Sequence, residues 1–389
     1  MVTSASTNRP TAFSLAVLLA IGGTPALADW PFARGGADSS GCSDASLGGE
    51  LRVAWTYRAE DAEAAFEGTP VIADGVVVVG DSEGLVHAVC LADGTSVWRR
   101  AFADTGFLAA AAIVGDAAVI TDYDGVARCL ALADGAERWA VPTESEVYGG
   151  ATAFTPDGGG ETLVLITTEA GRLLALDAAT GAERWRFAIS APLRGEPTVV
   201  AGAAWLAGCD GKLHAIDAAT GEPIGEVAIG GPTGNTAAAA GGLAVFGIEE
   251  GAVLAARIAD PAEPVIAWKH REARSGQGVR TAAAMAPGAA YVAVGRGVTR
   301  LDPDSGEVAW STRIRGRVEA SPLALTDGVL VLTNRGRVVL LDAQTGDEWA
   351  TDDRGGGFLA APAASGGFVV VANTDGSLVC YAGAAADGR

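Results

Sequence analysis

The sequence is poor in the residue types on which many metal and catalytic sites depend. Its 389 residues include only three His and five Cys. No Cys-x-x-Cys pair and no two adjacent cysteines occur. These absences argue against a zinc knuckle and against a thioredoxin-type redox site. No histidine has an evident catalytic partner close by in the sequence, so a hydrolase triad is not expected.

Long apolar runs and blocks of like charge are also lacking. Beyond the first 28 residues, no stretch reaches the roughly 18 apolar residues that a membrane-spanning helix needs. Lysine is confined to Lys212 and Lys269, and the formal net charge is −20. Nucleic acids and anionic membranes are bound through basic surfaces. Neither is therefore expected as a partner.

The first 28 residues have the pattern of a secretory signal. Arg9 precedes an apolar core from Phe13 to Ile21, and Ala26-Leu-Ala28 forms an A-x-A cleavage site. The residue after the cleavage point is Asp29, and the first cysteine is Cys42. We therefore expect an exported protein, periplasmic or extracellular, that is soluble after cleavage and carries no lipid anchor.

What the chain does contain is an internal repeat. The fullest copy reads Gly171-Arg-Leu-Leu-Ala-Leu-Asp177, then Ala-Ala-Thr-Gly181, then Ala-Glu-Arg-Trp185. Its first part alternates as a strand does, and its Asp-x-x-Thr-Gly part is a tight turn. The opening glycines follow one another at intervals of 39 to 46 residues: Gly84, Gly125, Gly171, Gly211, Gly251, Gly297, Gly336 and Gly376.

Each unit also has two strands before its glycine. One is apolar, as in Val76–Val79 and Leu163–Thr167. The other is short and made of small residues, as in Gly68–Val71, Gly195–Thr198 and Ala320–Leu323. Four short strands in about 40 residues are the signature of a propeller blade. A helical solenoid is excluded, because the periodicity is two.

The two ends of the chain predict the number of blades. The eighth unit stops at Ser377–Tyr381 without its tryptophan strand, and a spare strand of this kind lies at Leu51–Tyr57. Pairing the two would close the ring and remove its open edge. The sequence thus predicts an all-β, eight-bladed propeller of four-stranded antiparallel blades over residues 51–383. A lead-in segment (29–50) precedes it, and a disordered tail (384–389) follows.

The tryptophans recur in phase with the repeat, and we expect them to fill the widening gap between blades. Gly225 takes their place in the fourth unit, and Asp260-Pro-Ala-Glu-Pro264 replaces the Thr-Gly turn of the fifth. Trp30 and Trp205 lie outside the pattern. The predicted docking residues are Trp55, Trp98, Trp139, Trp185, Trp268, Trp310 and Trp349.

This repeat resembles those of the pyrroloquinoline-quinone (PQQ)-type propellers. Their Ala-x-Asp-x-x-Thr-Gly-x-x-x-Trp motif is matched by Ala175–Trp185 and nearly matched by Arg300–Trp310 and Leu340–Trp349. The opening Asp29–Gly35 also resembles the lead-in of exported propellers of this type. The family includes quinoprotein dehydrogenases as well as non-catalytic members.

Size, export and blade number are closest to the BamB-like members, which are non-catalytic subunits of the outer-membrane barrel-assembly machine. The segment Leu193-Arg194-Gly-Glu196-Pro resembles the stretch by which such members contact their barrel partner. The resemblance implies that Leu193 and Arg194 contact a partner, with Glu196 nearby. It implies a monomeric, non-enzymatic scaffold that binds another envelope protein.

Two other functions remain open. A PQQ-dependent dehydrogenase of this family would hold its quinone against a ring of adjacent cysteines, beside a calcium ion, and those cysteines are absent. No cofactor is therefore expected. A carbohydrate- or peptide-binding propeller is the other alternative. The predicted channel entrance is polar, which suits either a ligand or water, and it contains Glu67, Arg194, Glu196, Asn235, Arg280 and Glu319.

The cysteines and histidines are interpreted as packed residues. Cys129 and Cys380 fall at a repeat position that alanine occupies elsewhere, which suggests small buried slots and inert thiols. A Cys42–Cys380 disulfide that locks the ring is left as an alternative. His87 and His214 occupy equivalent positions in different blades, too far apart to share a metal ion. No metal site is expected.

Overall fold

The computed structural model describes residues 29–271 and 278–383, so the predicted signal (1–28) and tail (384–389) lie outside it. These described residues form eight four-stranded antiparallel sheets and no helix. The described part of the chain accordingly offers no helical segment capable of crossing a membrane. The predicted all-β, eight-bladed propeller is confirmed.

Each blade consists of four strands that run from the innermost to the outermost position, and the blades are numbered 1 to 8 from β2 onwards. The strands are β1 (Val53–Arg58), β2 (Val71–Ala73), β3 (Val76–Gly80), β4 (Leu85–Cys90), β5 (Ser96–Ala101), β6 (Ala112–Val114), β7 (Ala117–Thr121), β8 (Val126–Ala131), β9 (Glu137–Pro142), β10 (Thr152–Phe154), β11 (Leu163–Thr167), β12 (Arg172–Asp177), β13 (Glu183–Ala188), β14 (Thr198–Val200), β15 (Ala203–Ala207), β16 (Lys212–Asp217), β17 (Pro223–Ala228), β18 (Ala238–Ala240), β19 (Leu243–Gly247), β20 (Ala252–Arg257), β21 (Val265–Arg271), β22 (Ala284–Ala286), β23 (Ala289–Val294), β24 (Gly297–Leu301), β25 (Val308–Arg313), β26 (Leu323–Ala324), β27 (Gly328–Leu332), β28 (Arg337–Asp342), β29 (Glu348–Asp353), β30 (Ala363–Ser365), β31 (Phe368–Ala372) and β32 (Ser377–Ala382).

The middle strands carry the core because blades cover both of their faces. β7, β11 and β27 are buried at every position, whereas the outermost β13 and β25 alternate between exposed and half-buried residues. The fully buried strands correspond to the continuous apolar runs of the repeat, and the outermost strands correspond to its alternating runs. The hydrophobic contact between neighbouring sheets therefore holds the ring together.

The innermost strands begin later than the sequence predicts. The short segments that start at Gly68, Gly195 and Ala320 enter a strand only at their last residue, in β2, β14 and β26. A proline stands directly before each of these strand starts. Proline has no N–H to donate to a ladder, so the paired segment begins beyond it.

The ring closes as predicted, with strands from both ends of the chain. Blade 8 has the order β30-β31-β32-β1, so the N-terminal β1 is its outermost strand. Trp55 of β1 lies opposite Cys380 of β32. No sheet edge is therefore left where the last blade meets the first.

The disulfide alternative is wrong, because all five cysteines are free. Cys42 pairs with Ala324 in blade 7, while Cys380 is fully buried inside blade 8. Cys129 is also buried, and burial raises the pKa of its thiol to about 11. Both thiols therefore occupy small apolar slots, as predicted for Cys129 and Cys380.

Six tryptophans fill the gap between neighbouring blades in one repeated way. Each indole packs against the glycine of the Thr-Gly or equivalent turn in the next blade, as Trp98 does against Gly135. The Trp98 indole N–H also donates to the Leu132 carbonyl at 2.7 Å, just after the turn begins. These six are Trp55, Trp98, Trp139, Trp185, Trp268 and Trp310.

The glycine in blade 4 is explained by the altered turn in blade 5. Gly225 occupies the docking position opposite Ala215. A Cβ added to Gly225 would overlap the carbonyl oxygen of Pro261, which belongs to the Asp260–Pro264 turn. The two departures from the repeat are thus one feature, since the longer turn fills the space that an indole fills elsewhere.

Trp349 does not occupy the predicted docking position. Blade 7 has one residue fewer between its turn glycine and its tryptophan. Ala350 therefore takes the docking position opposite Leu340, and Trp349 is the unpaired residue of the β-bulge beside it. Its side chain is 43% exposed. Blade 8 has no turn there to receive an indole, because the chain ends occupy that place, and Trp349 lies near Gly49 instead.

Trp98→Ala tests the interblade contact. We expect a loss of about 3–5 kcal/mol in the free energy of unfolding, because a buried indole and its hydrogen bond are removed. Trp349→Ala is the matched control and should change stability by only about 0.5 kcal/mol, as exposed positions do. Urea denaturation of both variants measures the difference, and equal losses would contradict the docking assignment.

Gly225→Ala tests the paired departure in blades 4 and 5. We expect destabilisation by about 1–3 kcal/mol, because the new methyl group meets backbone that cannot move freely. Gly297→Ala is the control, since its Cβ would have Val294 O at 3.5 Å as its nearest contact. If Gly225→Ala proved as stable as wild type by thermal melting, the longer turn of blade 5 would not be what excludes a side chain at position 225.

Candidate functional site

Residues 30–43 of the lead-in lie inside the central channel along the innermost strands. Trp30 exchanges two backbone hydrogen bonds with Ile72 of blade 1. Backbone amides of the innermost strands in five further blades donate to lead-in carbonyls. These are Ile113 to Pro31, Val199 to Ala37, Ala239 to Asp38, Met285 to Ser40 and Ala324 to Gly41. The segment thus pairs with edges that would otherwise face the channel unpaired.

At blade 3 the lead-in leaves this ring and forms a tight loop. Phe32 and Gly35 exchange backbone hydrogen bonds, and Gly35 adopts a φ of +91° that favours glycine. Arg34 lies within this loop and is 3% exposed. Its guanidinium extends over Gly41, where any Cβ would overlap it, and Nη2 donates to Ala283 O at 2.8 Å.

The loop forms one wall of a cavity of about 190 Å³ on the channel axis. We call Arg34, Glu196 and Asn235 its floor, because their side chains are buried. We call the exposed residues Tyr148, Arg194, Arg280 and Leu359 its mouth. Its other lining residues are Ala33, Thr69, Gly149, Gly150, Gly234, Thr236, Ala282, Glu319, Ser321 and Ala361.

Each floor residue has polar atoms without a hydrogen-bond partner in the described structure. They are Nε and Nη1 of Arg34, Oε2 of Glu196 and Oδ1 of Asn235. The Asn235 amide is oriented by its Nδ2, which donates to the carbonyls of Val279 (3.2 Å) and Thr281 (2.9 Å). The Thr152 hydroxyl donates to the Pro197 carbonyl at 2.7 Å and lies 3.2 Å from Glu196 Oε1. Buried polar atoms are rarely left unpaired.

Burial shifts the titration of both charged floor residues. It raises the pKa of Glu196 to about 8, against smaller opposing effects from Thr152, Arg34 and the Ala33 amide. It lowers the pKa of Arg34 to about 10, with Glu196 opposing the shift. Near neutral pH the floor therefore holds a charged guanidinium beside a carboxyl group that is largely protonated.

The three predicted contact residues lie in different surroundings. Leu193 is 2% exposed and packs in the core, and Glu196 belongs to the floor. The side chain of Arg194 is 47% exposed at the mouth and forms an ion pair with Glu169. Only Arg194 of the three is accessible to a partner in this structure, and its contact with one stays a prediction.

Two exposed tyrosines lie beside the mouth. Tyr123 and Tyr148 are 38% and 40% exposed, and their rings meet edge to face at 5.9 Å. The Tyr148 hydroxyl donates to Glu146 at 3.1 Å. Leu359 is 41% exposed across the same opening. The loops on this face thus present large side chains that the core does not bury.

His87 and His214 are buried, and each has a carboxylate partner that the sequence interpretation missed. His87 Nε2 lies 2.8 Å from Asp81 Oδ2, and Nδ1 lies 2.9 Å from the Tyr57 hydroxyl. His214 lies 2.9 Å from Asp210 in the same way. Within residues 29–271 and 278–383, no three His, Cys, Asp or Glu side chains converge as metal ligands.

A serine near His87 has the Gly-x-Ser-x-Gly spacing of hydrolases, in Gly80-Asp-Ser82-Glu-Gly84. Here it forms a turn between two strands rather than a strand-to-helix elbow. Ser82 Oγ accepts from the Ala65 amide and donates to Glu83. Both His87 nitrogens are already engaged, so this segment does not form a triad.

Arg34 is the site residue that sequence reasoning did not select. Five of the six polar entrance residues were placed correctly, since the structure brings Arg194, Glu196, Asn235, Arg280 and Glu319 around one cavity. Glu67 does not line it. The available signal for Arg34 was its place in a lead-in that resembles those of other propellers, but nothing local indicated that this segment enters the channel.

Comparison with known structures shows the same fold in proteins of different function. The chain is similar to the quinohemoprotein alcohol dehydrogenase from Comamonas testosteroni, with a TM-score of 0.76, 15% identity, and coverage of 93% of this chain and 81% of that one. It is similar to BamB from Moraxella catarrhalis, with a TM-score of 0.65, 19% identity, and coverage of 85% and 97%. A computationally designed protein, Ika8, has a TM-score of 0.68 at 15% identity, with coverage of 85% and 99%.

Sequence comparison identifies the family more directly. No curated protein sequence matches the chain. A model of the PQQ-type repeat family described as outer membrane protein assembly factor BamB matches residues 44–198 and 123–389, which together cover most of the chain. The chain therefore belongs to this BamB-type family of PQQ-like β-propellers.

Proposed function

We propose that this propeller is a non-enzymatic, exported scaffold that binds another envelope protein through the face around the channel mouth. The observation that carries the proposal is the exposed group of Tyr123, Tyr148, Arg194 and Leu359 on that face. Tyrosine and arginine are the residue types enriched at protein interfaces and their hot spots. Loops on a rigid ring are also where binding residues concentrate.

The charges on this face favour a specific kind of partner segment. Arg194 is held by Glu169 at 2.5 Å, and Tyr148 by Glu146, so both side chains are preorganised. Preorganisation reduces the entropy lost on binding. A partner segment would fit this face if one of its apolar side chains packed against Tyr123 and Tyr148 and one of its acidic side chains approached Arg194.

The family description supports a finer proposal, which is participation in outer-membrane protein assembly. The signal-like first 28 residues would direct the chain out of the cytoplasm, and we propose the periplasm as its location. The segment around Arg194 resembles the barrel-contacting stretch of BamB-like proteins. These points together favour an assembly factor over the other members of the fold.

The rival function, a quinone-dependent dehydrogenase, is not supported by the channel cavity of the described residues. The channel cavity of about 190 Å³ is smaller than the roughly 300–1,000 Å³ typical of pockets for drug-sized ligands. None of the nine tryptophans lines it: six lie between blades, Trp30 and Trp205 are buried in the core, and Trp349 lies at the outer edge. The residues present do not fit the quinone, and we propose no redox role.

Site-specific photocrosslinking in the native envelope tests the scaffold. A photoreactive residue at Tyr148 should give a discrete adduct with another protein, and Arg194→Ala should reduce that adduct several-fold because the acidic contact is lost. The same photoreactive residue at Val97, which is exposed on the outer edge of blade 1, is the control and should give no such adduct.

Two results would count against the scaffold. One is the absence of any adduct from the mouth. The other is equal adduct yields from Tyr148 and Val97, with no effect of Arg194→Ala. Robust dye-linked alcohol or sugar oxidation after addition of pyrroloquinoline quinone and calcium would instead support the dehydrogenase.

A further inference from the structure

We propose that the floor of the channel cavity binds a small organic carboxylate that carries a hydroxyl or amino group beside its carboxyl group. Arg34, Glu196 and Asn235 are each at least 95% buried, each lines the same cavity, and each has buried polar atoms without a hydrogen-bond partner in the described structure. The three come from the lead-in, blade 4 and blade 5. The proposal is independent of protein binding at the mouth.

The unpaired atoms of Arg34 are the strongest indication of a ligand. Nη2 is satisfied by Ala283 O, but Nε and Nη1 have no acceptor in the described structure. Arg34 makes no direct ion pair with Glu196, although the two are close enough to interact electrostatically. A buried cation with a single acceptor is costly. A carboxylate between the two residues would supply them.

The other floor atoms define the rest of the ligand. Asn235 Oδ1 can only accept, because Nδ2 is committed to two backbone carbonyls. It therefore requires a donor on the ligand, such as a hydroxyl or amino group. Glu196 Oε2, when protonated, donates to the ligand carboxylate. A simple fatty acid would leave Asn235 unpaired, and a neutral amide would leave Arg34 without a charged partner.

The volume of the cavity favours a small ligand. Its 190 Å³ lies below the roughly 300–1,000 Å³ of pockets for drug-sized ligands. A molecule of about six non-hydrogen atoms, the size of lactate, therefore fits, and a larger one would extend toward the mouth. Arg280 and Tyr148 line the opening through which it would enter.

Isothermal titration of the full chain with three matched probes tests the site. Lactate carries both features, propionate lacks the hydroxyl, and lactamide lacks the charge. We expect lactate to bind at least about tenfold more tightly than propionate or lactamide. Each of these two analogues loses an interaction with a buried partner, and one such hydrogen bond changes the affinity by about this factor. Equal binding of all three, or no lactate binding at millimolar concentration, would mean that water satisfies these atoms and would overturn the proposal.

Arg34→Met tests the cation at similar side-chain length. We expect it to weaken lactate binding at least about tenfold, as loss of a charge-assisted hydrogen bond does. Arg138→Met is the matched control, because Arg138 pairs with Asp116 on the exposed outer edge of blade 2. Unchanged lactate affinity in Arg34→Met would contradict the site.

Glu196→Gln provides a second test, since glutamine has nearly the shape of the protonated carboxyl group and carries no charge. Wild-type affinity for lactate should fall as pH rises through about 8, because Glu196 loses the proton that it donates and then repels the ligand. The variant should bind with no such fall. Other polar or charged groups that face Glu196 or the cavity are Arg34, Thr152, Tyr148, Arg194, Arg280 and Glu319.

A pH profile of Glu196→Gln identical to wild type would overturn the role of this carboxyl group. Arg34 stays charged across the tested range, because its pKa of about 10 lies above it. Any fall in affinity near pH 8 is therefore attributed to Glu196. The same titrations at several salt concentrations separate floor binding from weak association with the exposed Arg280, which salt would screen.

Discussion

The structure depends on the backbone hydrogen bonds between the lead-in and the innermost strands. A propeller turns eight short strand edges toward its axis, and unpaired edges are unfavourable. Here a single segment supplies acceptors to the inner strands of six blades, from Trp30 to Gly41. The same segment continues into β1, which completes blade 8. One stretch of chain therefore satisfies six of the eight inner edges and leads directly into closure of the ring.

This arrangement also creates the candidate site. Where the lead-in skips blade 3, its loop directs Arg34 onto the axis, against Glu196 of blade 4 and Asn235 of blade 5. A channel plugged by apolar side chains would be cheaper to bury than two ionisable groups with unpaired atoms. The free energy lost by burying these groups is explained if the floor binds a ligand. The exposed tyrosines and Arg194 then form a separate, protein-binding surface at the mouth.

Much of the fold could be predicted from the sequence because the repeat is a local, periodic signal. Strand alternation, turn glycines and the spare strand around Trp55 are each readable within a few residues. The path of the lead-in is not, since its partners lie up to about 280 residues away, as Ala324 does from Gly41. Glycine is needed at position 225 because of Pro261 in another blade. The displacement of Trp349 from the docking position depends on the register in which β28 and β29 pair. The anticipated polar entrance lacked Arg34 for the same reason.

Amide hydrogen exchange of the innermost strands tests the central constraint most directly. The account predicts slow exchange at Ile113, Val199, Ala239 and Met285, whose amides donate to the lead-in. It predicts faster exchange at Ala153 and Ala364, the equivalent positions of blades 3 and 8, for which the described residues provide no lead-in acceptor. Deletion of residues 29–49 should abolish the difference. Equal exchange at all six positions in the intact chain would contradict the account.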